Sequence, residues 1–313
     1  MTRHMCAAVV ILLGQAPALL GQGRPAVDRA GLEKNKDVVE QFFASADRGD
    51  VEKLRSIVSE DYIEHASYQA DGGDALLAAV AENVRTTDAG VRKEKSEIVR
   101  MIAEGDEVWV YTRVNAAGTL MARVNMFRLE RGRIAEHWAV QEVVNPMRTN
   151  ANDHFAAGRG PQKAESQPKR VAKAVGRDEL ERNKDVMRKF FLYAEADDVK
   201  DRNKLRDWAR PDYIQHNPRG QDGVEGFANG PRPLPHHLLV RTIAEGDYVW
   251  CLNIPSFEQG SAANPERANF NQWRIEGGKL AEHWGTYETV QPRRANTNDF
   301  FGSGRTRARD LTR

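Results

Sequence analysis

The sequence predicts an α+β protein whose architecture is built twice. Three observations carry this. The same short motifs occur in the same order in both halves of the chain, which is the signature of an internal repeat. Within each half, helical spacing comes first and strand-like segments separated by glycine turns come after. Finally, 313 residues with 40% hydrophobic content suit two cores of ordinary domain size.

The repeat is read directly. NKDVVEQFF (35–43) returns as NKDVMRKFF (183–191), DYIEH (61–65) as DYIQH (212–216), and IAEGDEVW (102–109) as IAEGDYVW (243–250). AEHW occurs at 135–138 and 281–284, and ANDHF (151–155) is echoed by TNDFF (297–301). These matches place one domain at 27–159 and a second at 177–306, joined by a polar, basic linker at 160–176 and followed by a basic tail at 307–313.

Residues 1–26 belong to neither repeat. MTRH gives a positive start, CAAVVILLG an apolar run, and Ala16-Pro17-Ala18 a small-x-small site, the three regions of a secretory signal peptide. The apolar run is far shorter than the ~20 residues that span a bilayer. The expectation is a secreted or periplasmic protein, cleaved after Ala18 or shortly beyond, with no membrane attachment afterwards. Cys6 leaves with the signal, so Cys251 is alone and no intramolecular disulfide forms. A formal net charge of +1, from 46 basic and 45 acidic residues, gives no basic face for nucleic acid.

Each element has a local reason. In LEKNKDVVEQFFASA (32–46), Val38, Val39, Phe42 and Phe43 fall on one helical face. Gly49 ends this helix and Asp50 caps the next, VEKLRSIVS. GDALLAAVAENVRT (73–86) reads as a further helix. Strands follow at 96–103, 107–114, 119–130 and 133–143, with Gly105, Gly118 and Gly132 at the turns, so consecutive hairpins make an antiparallel sheet. Trp109 and Tyr111 alternate with Val108, Val110 and Val114, so the sheet is apolar on both sides and needs cover on both. The nearest cover is the other repeat. An internal pseudo-dimer, monomeric in solution, is the expectation.

The order N-K-x-x-V-x-x-F-F, D-Y-I-x-H, I-A-E-G-D-x-V-W, a strand ending F-R or W-R, A-E-H-W and N-D-x-F resembles the SnoaL-like polyketide cyclases of the NTF2-like superfamily. The resemblance covers nearly all of both halves. It implies two conical α+β domains, each a curved antiparallel sheet packed on N-terminal helices around an apolar pocket. It also implies a histidine and an aspartate two residues apart on the last strand, the aspartate moving the proton in ring closure. Here the aspartate positions hold Ala139 and Gly285. The carboxylate usual on the preceding strand is Asn125 in one half and Asn271 in the other.

Strand alternation puts His137, Ala139 and Gln141 on the cavity side and Glu136, Trp138 and Val140 on the other. With the family's carboxylates absent, the preferred reading is a pocket that binds a small apolar ligand. The alternative is a carbon-acid enzyme using His65, His137, His216 and His283, and the third is a structural assembly module. Tyr62, Arg100, Asn125, Ala139, Gln141, Tyr213 and Asn271 are the candidate ligand-binding residues. Glu142 and Glu288 face away from His137 and His283, toward solvent or an interface. His236-His237 cannot share a metal ion from adjacent strand positions. There is no phosphate loop, nucleophile elbow or cysteine-based zinc motif, so no cofactor is expected. The second half replaces helix 73–86 with GVEGFANGPRPLP (223–235), so its pocket is expected to be more open, and the first is the better candidate site.

Overall fold

The computed structural model describes residues 27–88, 94–164, 167–171, 173–230, 233–255, 266–290 and 294–304. The proposed signal peptide and basic tail lie outside these residues. The first repeat runs α1 (Arg29–Arg48), α2 (Val51–Ile57), β1 (Val58–Glu64), α3 (Gly73–Asp88), β2 (Lys95–Glu104), β3 (Glu107–Ala116), β4 (Thr119–Glu130) and β5 (Arg133–Val143). The second runs α4 (Arg177–Ala194), α5 (Val199–Arg202), α6 (Leu205–Trp208), β6 (Ala209–Gln215), α7 (Glu225–Ala228), β7 (His237–Glu245), β8 (Tyr248–Pro255), β9 (Arg267–Glu276) and β10 (Lys279–Thr289).

The sheets share one topology, β1-β5-β4-β3-β2 and β6-β10-β9-β8-β7. Hairpins join the four central and distal strands, with Ala117-Gly118 (φ 50° and 87°) and Arg131-Gly132 (51° and 74°) at two of the turns. Both residues of each pair have positive φ, the turn whose twist matches a hairpin. The D-Y-I-x-H motif forms an additional edge strand that pairs in parallel with the last strand of its sheet, so the sheets are antiparallel except at that edge. Gly49 closes α1 at φ 70°, and the Asp50 side chain accepts from the Lys53 N–H at the start of α2.

Each cone has its own core. Val39, Leu54, Tyr62, Val108, Val110 and Phe127 fill the first, and Met187, Phe190, Leu205, Val249 and Trp273 the second. A third core joins the outer faces of the two sheets, with Trp109, Tyr111, Met126 and Trp138 from one repeat and Trp250, Leu252, Phe270 and Trp284 from the other. Both faces of both sheets are thereby covered, and the repeats form an internal pseudo-dimer.

The chain also crosses over. The segment after β5 packs on the second repeat, where Asn152 Nδ2 donates to the Gln215 carbonyl (2.9 Å) and Asn150 Nδ2 to those of Asn217 and Gly220 (both 2.8 Å). The segment after β10 packs on the first, where Asn298 Nδ2 donates to the Glu64 carbonyl and Asn296 Nδ2 to that of Ala66 (both 2.8 Å). In the connection between repeats, Arg170 reaches Glu33, Asp37 and Glu40 on α1, and the Met101 N–H donates to the Lys169 carbonyl at 2.8 Å. Among the described residues, no helix is long and apolar enough to cross a membrane.

Candidate functional site

AEHW is divided by strand alternation into two jobs. Its histidine faces the cone, and its acid and indole face the other repeat. The first cavity, about 290 Å³, lies between α1, α3 and the inner face of the sheet. Phe42, Phe43, Leu76, Ala79 and Val80 make its apolar wall, while Asn125, His137, Arg123 and Glu94 make its polar floor.

His137 Nδ1 lies 3.0 Å from both oxygens of Glu64. Glu64 is fully buried and also accepts from the Tyr62 hydroxyl (2.7 Å) and the Ala66 N–H (2.8 Å). The carboxylate therefore fixes the tautomer with Nδ1 protonated and Nε2 turned toward the cavity. Nε2 is 3.2 Å from Asn125 Oδ1, an acceptor that makes a hydrogen bond there only when Nε2 carries a proton, as in an imidazolium with Glu64 as counter-charge. Arg123 is bound by Glu94 through two bonds (2.5 and 3.1 Å) and by Gln141 Oε1 (2.9 Å). Ala139 is buried beside His137 on this face.

The second cavity is larger, about 560 Å³, because α7 has 4 residues where α3 has 16. His283 Nδ1 meets Gln215 Oε1 at 3.1 Å, and Nε2 meets Asn271 Oδ1 at 2.9 Å. Both neighbours are neutral amides. Burial, then the proximity of His216, pushes the His283 imidazolium down to a pKa of about 3, so this histidine stays uncharged. The Tyr213 hydroxyl receives a long bond from Gln215 Nε2, 3.4 Å. Gly285 has a packing reason: a Cβ there would sit 2.8 Å from the Tyr287 hydroxyl and 3.0 Å from Asn217 Nδ2, two groups bonded to each other at 2.9 Å.

His65 and His216, expected at the cavities, lie instead in the interface. Along the edge strand Tyr62 and Glu64 point inward, so the next residue points out. His65 stacks on Trp138 at 4.5 Å, bonds Glu136 Oε2 at 3.0 Å, and meets the crossed-over Asp299 carbonyl at 2.7 Å. His216 repeats this with Trp284 (4.3 Å), Glu282 (2.8 Å) and the Asp153 carbonyl (2.7 Å). Burial by itself would raise the Glu136 pKa, but bonds from His65, the Gly304 N–H and Arg128 hold it down at about 2. Glu282 is held there likewise, against burial, by His216, the Gly158 N–H and Arg274.

Arg100, expected to meet a ligand, is also an interface residue, lying 4.3 Å over the Trp284 ring. Arg241 covers Trp138 at 3.8 Å. Lys36 pairs with Glu245 (2.5 Å) and Lys184 with Glu104 (2.7 Å), so N-K-D of each repeat grips I-A-E-G-D of the other. Glu142 accepts the Tyr287 N–H (2.8 Å) and Glu288 the Gln141 N–H (2.9 Å), both across the interface. His236 and His237 both turn Nδ1 to Glu195 (3.3 and 2.8 Å), and among the described residues no cluster has the makings of a metal site.

Residues 39–137 match the family model described as SnoaL-like domain, so the first repeat carries one SnoaL-like domain. No curated protein matches the chain. Similar solved structures include an NTF2-like protein of unknown function from Cytophaga hutchinsonii (16% identity, 34% of this chain and 89% of that chain, TM-score 0.30). TsrD from Streptomyces laurentii matches at 19% identity, over 37% of this chain and 91% of its own, with a TM-score of 0.31. An LEH-like epoxide hydrolase from M. tuberculosis matches at 15%, over 36% and 85%, with a TM-score of 0.29.

Proposed function

We propose that the first repeat is a small-molecule site in which His137 moves a proton to or from a mostly apolar guest bearing a carbonyl group, as in cyclase- or isomerase-type carbon-acid chemistry. The observation that supports this is the Glu64 carboxylate on His137 Nδ1. The missing aspartate at Ala139 favoured plain binding. A buried carboxylate contributed by β1 from behind the histidine restores an acid–base pair at the cavity floor. Nε2 accepts the proton, and Glu64 and Asn125 Oδ1 receive the two N–H bonds of the imidazolium. The apolar wall of α1 and α3 holds the guest and excludes water.

Binding without turnover is the second reading. Ala139 and Asn125 favour it, since neither position on the cavity floor offers a carboxylate beside the guest. The reading also takes the second repeat as a SnoaL-like domain, on its matching topology and motifs, and takes the protein as an exported monomer on the character of residues 1–26 and the internally covered sheets.

The test is exchange of solvent deuterium into a panel of cyclic ketones. Wild-type exchange well above background, falling by ~10²-fold or more in His137→Gln, is the expected outcome, that being the usual contribution of a general base. Ketone binding with no wild-type exchange transfers the assignment to plain binding.

A further inference from the structure

We propose that the second cavity is a separate binding site for an acidic amphiphile, a carboxylate on an apolar body. The proposal does not depend on turnover in the first cavity.

Size and lining set the apolar part. The cavity holds about 560 Å³, within the usual range for small-molecule pockets. Phe190, Phe191, Phe227, Leu234 and Pro235 form the apolar wall, exposed to the cavity because the 16-residue α3 of the first repeat is reduced here to the 4-residue α7. The counterpart of His137 in this cavity, His283, has no carboxylate behind it. The residue behind His283 is Gln215, and His283 remains neutral.

Charge sets the other end. Among the described residues, Arg219 and Arg267 line the cavity together with the carboxyl of Glu288. Burial pushes Glu288 up to a pKa of about 7, against bonds from the Gln141 N–H and Ser67, so its negative charge is incomplete at neutral pH. In the first cavity the balance is opposite, with Arg123 bound by Glu94 and Asp47 also in the lining. Arg219 lies over the Tyr287 ring at 5.5 Å. Its side chain is 57% exposed and approaches Glu142 only to 3.8 Å. A guanidinium at a cavity mouth whose ion pair, to Glu142, is stretched to 3.8 Å has N–H donors to offer a guest carboxylate.

The experiment is calorimetric titration of the full chain with decanoate and, as the uncharged counterpart, decan-1-ol. Two variants accompany wild type: Arg219→Gln, at an exposed head group, and Ala79→Trp, which fills the first cavity from a helix position open to solvent. Decanoate is expected to bind at one site about tenfold or more tighter than decanol. Arg219→Gln is expected to erase that preference and leave decanol within about twofold, since the lost term is the charge-assisted bond. Ala79→Trp is expected to leave both unchanged. Equal affinities for the two probes in wild type, a preference that survives Arg219→Gln, or binding abolished by Ala79→Trp would each overturn the proposal.

Discussion

The two cavities share a fold and differ in chemistry, and the surface between the repeats shows why. In the first cavity a buried carboxylate backs the histidine, and a 16-residue helix closes the wall. In the second an amide takes the carboxylate's place, and the helix shrinks to 4 residues. The interface is nearly the same in both directions. His65 with Glu136 and Trp138 in one repeat is matched by His216 with Glu282 and Trp284 in the other, and Lys36–Glu245 is matched across the seam by Lys184–Glu104. A pseudo-twofold surface makes each residue serve opposite its own counterpart, so the same side chain is needed in both halves. A cavity has no such partner and is free to diverge. The repeated motifs are therefore mostly the seam, and the site lies where the repeats disagree.

Separating the halves breaks this arrangement most severely. Each repeat lends its crossed-over tail to the other and covers the other's Trp-rich outer face. Expressed alone, 27–164 and 173–304 are expected to be insoluble or self-associated, and to recover a monodisperse particle only when refolded together, as light scattering would report. Halves that are each monomeric and stable would remove the interface argument. Within the intact chain, Trp138→Ala takes the stacking partner from His65 and leaves Arg241 without its ring. The expected loss is about 3–5 kcal/mol in urea unfolding, the usual range for a buried tryptophan. A loss below about 1 kcal/mol would mean that the third core holds little.

Protonation offers a gentler way to probe the seam. Burial pushes the carboxyls of Glu142 and Glu288 up to about 7, from an ordinary 4.5, with Arg219 and the Tyr287 N–H opposing at the first, and the Gln141 N–H, Ser67 and Arg123 at the second. Folding therefore favours the protonated acids. Their contribution is full below pH 4.5 and is lost as pH rises through 7. The double variant Glu142→Gln, Glu288→Gln keeps the acceptors for the two backbone N–H groups and removes the titration. It is expected to exceed wild type at pH 8 by on the order of 1–3 kcal/mol per site and to converge with it near pH 5. Parallel stability curves across that range would contradict the interface assignment of these carboxyls.

Much of this fold is legible in local pattern. The helical face of Val39 and Phe42, the turns at Gly118 and Gly132, and the apolar alternation of Trp109 with Val108 lead directly to two covered sheets. What local pattern does not carry is which segments meet. Nothing in the stretch 150–155 says that it docks on Gln215 and His216 rather than on its own repeat, because the choice is made by packing across the chain. The edge strand hides for a related reason: short and half polar, it is ordered by the parallel pairing of Glu64 with His137. His137, Asn125 and the consequence of Ala139 follow from strand alternation and resemblance. Glu64 escapes, since it is the variable residue of D-Y-I-x-H while attention falls on the constant one. The usable signal was its difference from Gln215, two positions after a tyrosine that points inward.

We propose that this one difference separates a proton-transfer site from a binding site. Glu64→Gln tests it most directly, because it installs in the first repeat the residue that the second already folds around. Deuterium exchange into the ketone panel is to be measured for wild type, Glu64→Gln and His283→Gln under the same conditions. Glu64→Gln is expected to lose ~10²-fold or more, as His137→Gln does, with ketone affinity changed by no more than an altered hydrogen bond, about 0.5–1.5 kcal/mol, and His283→Gln is expected to keep the wild-type rate. Exchange that survives Glu64→Gln, or that disappears in His283→Gln, would contradict it.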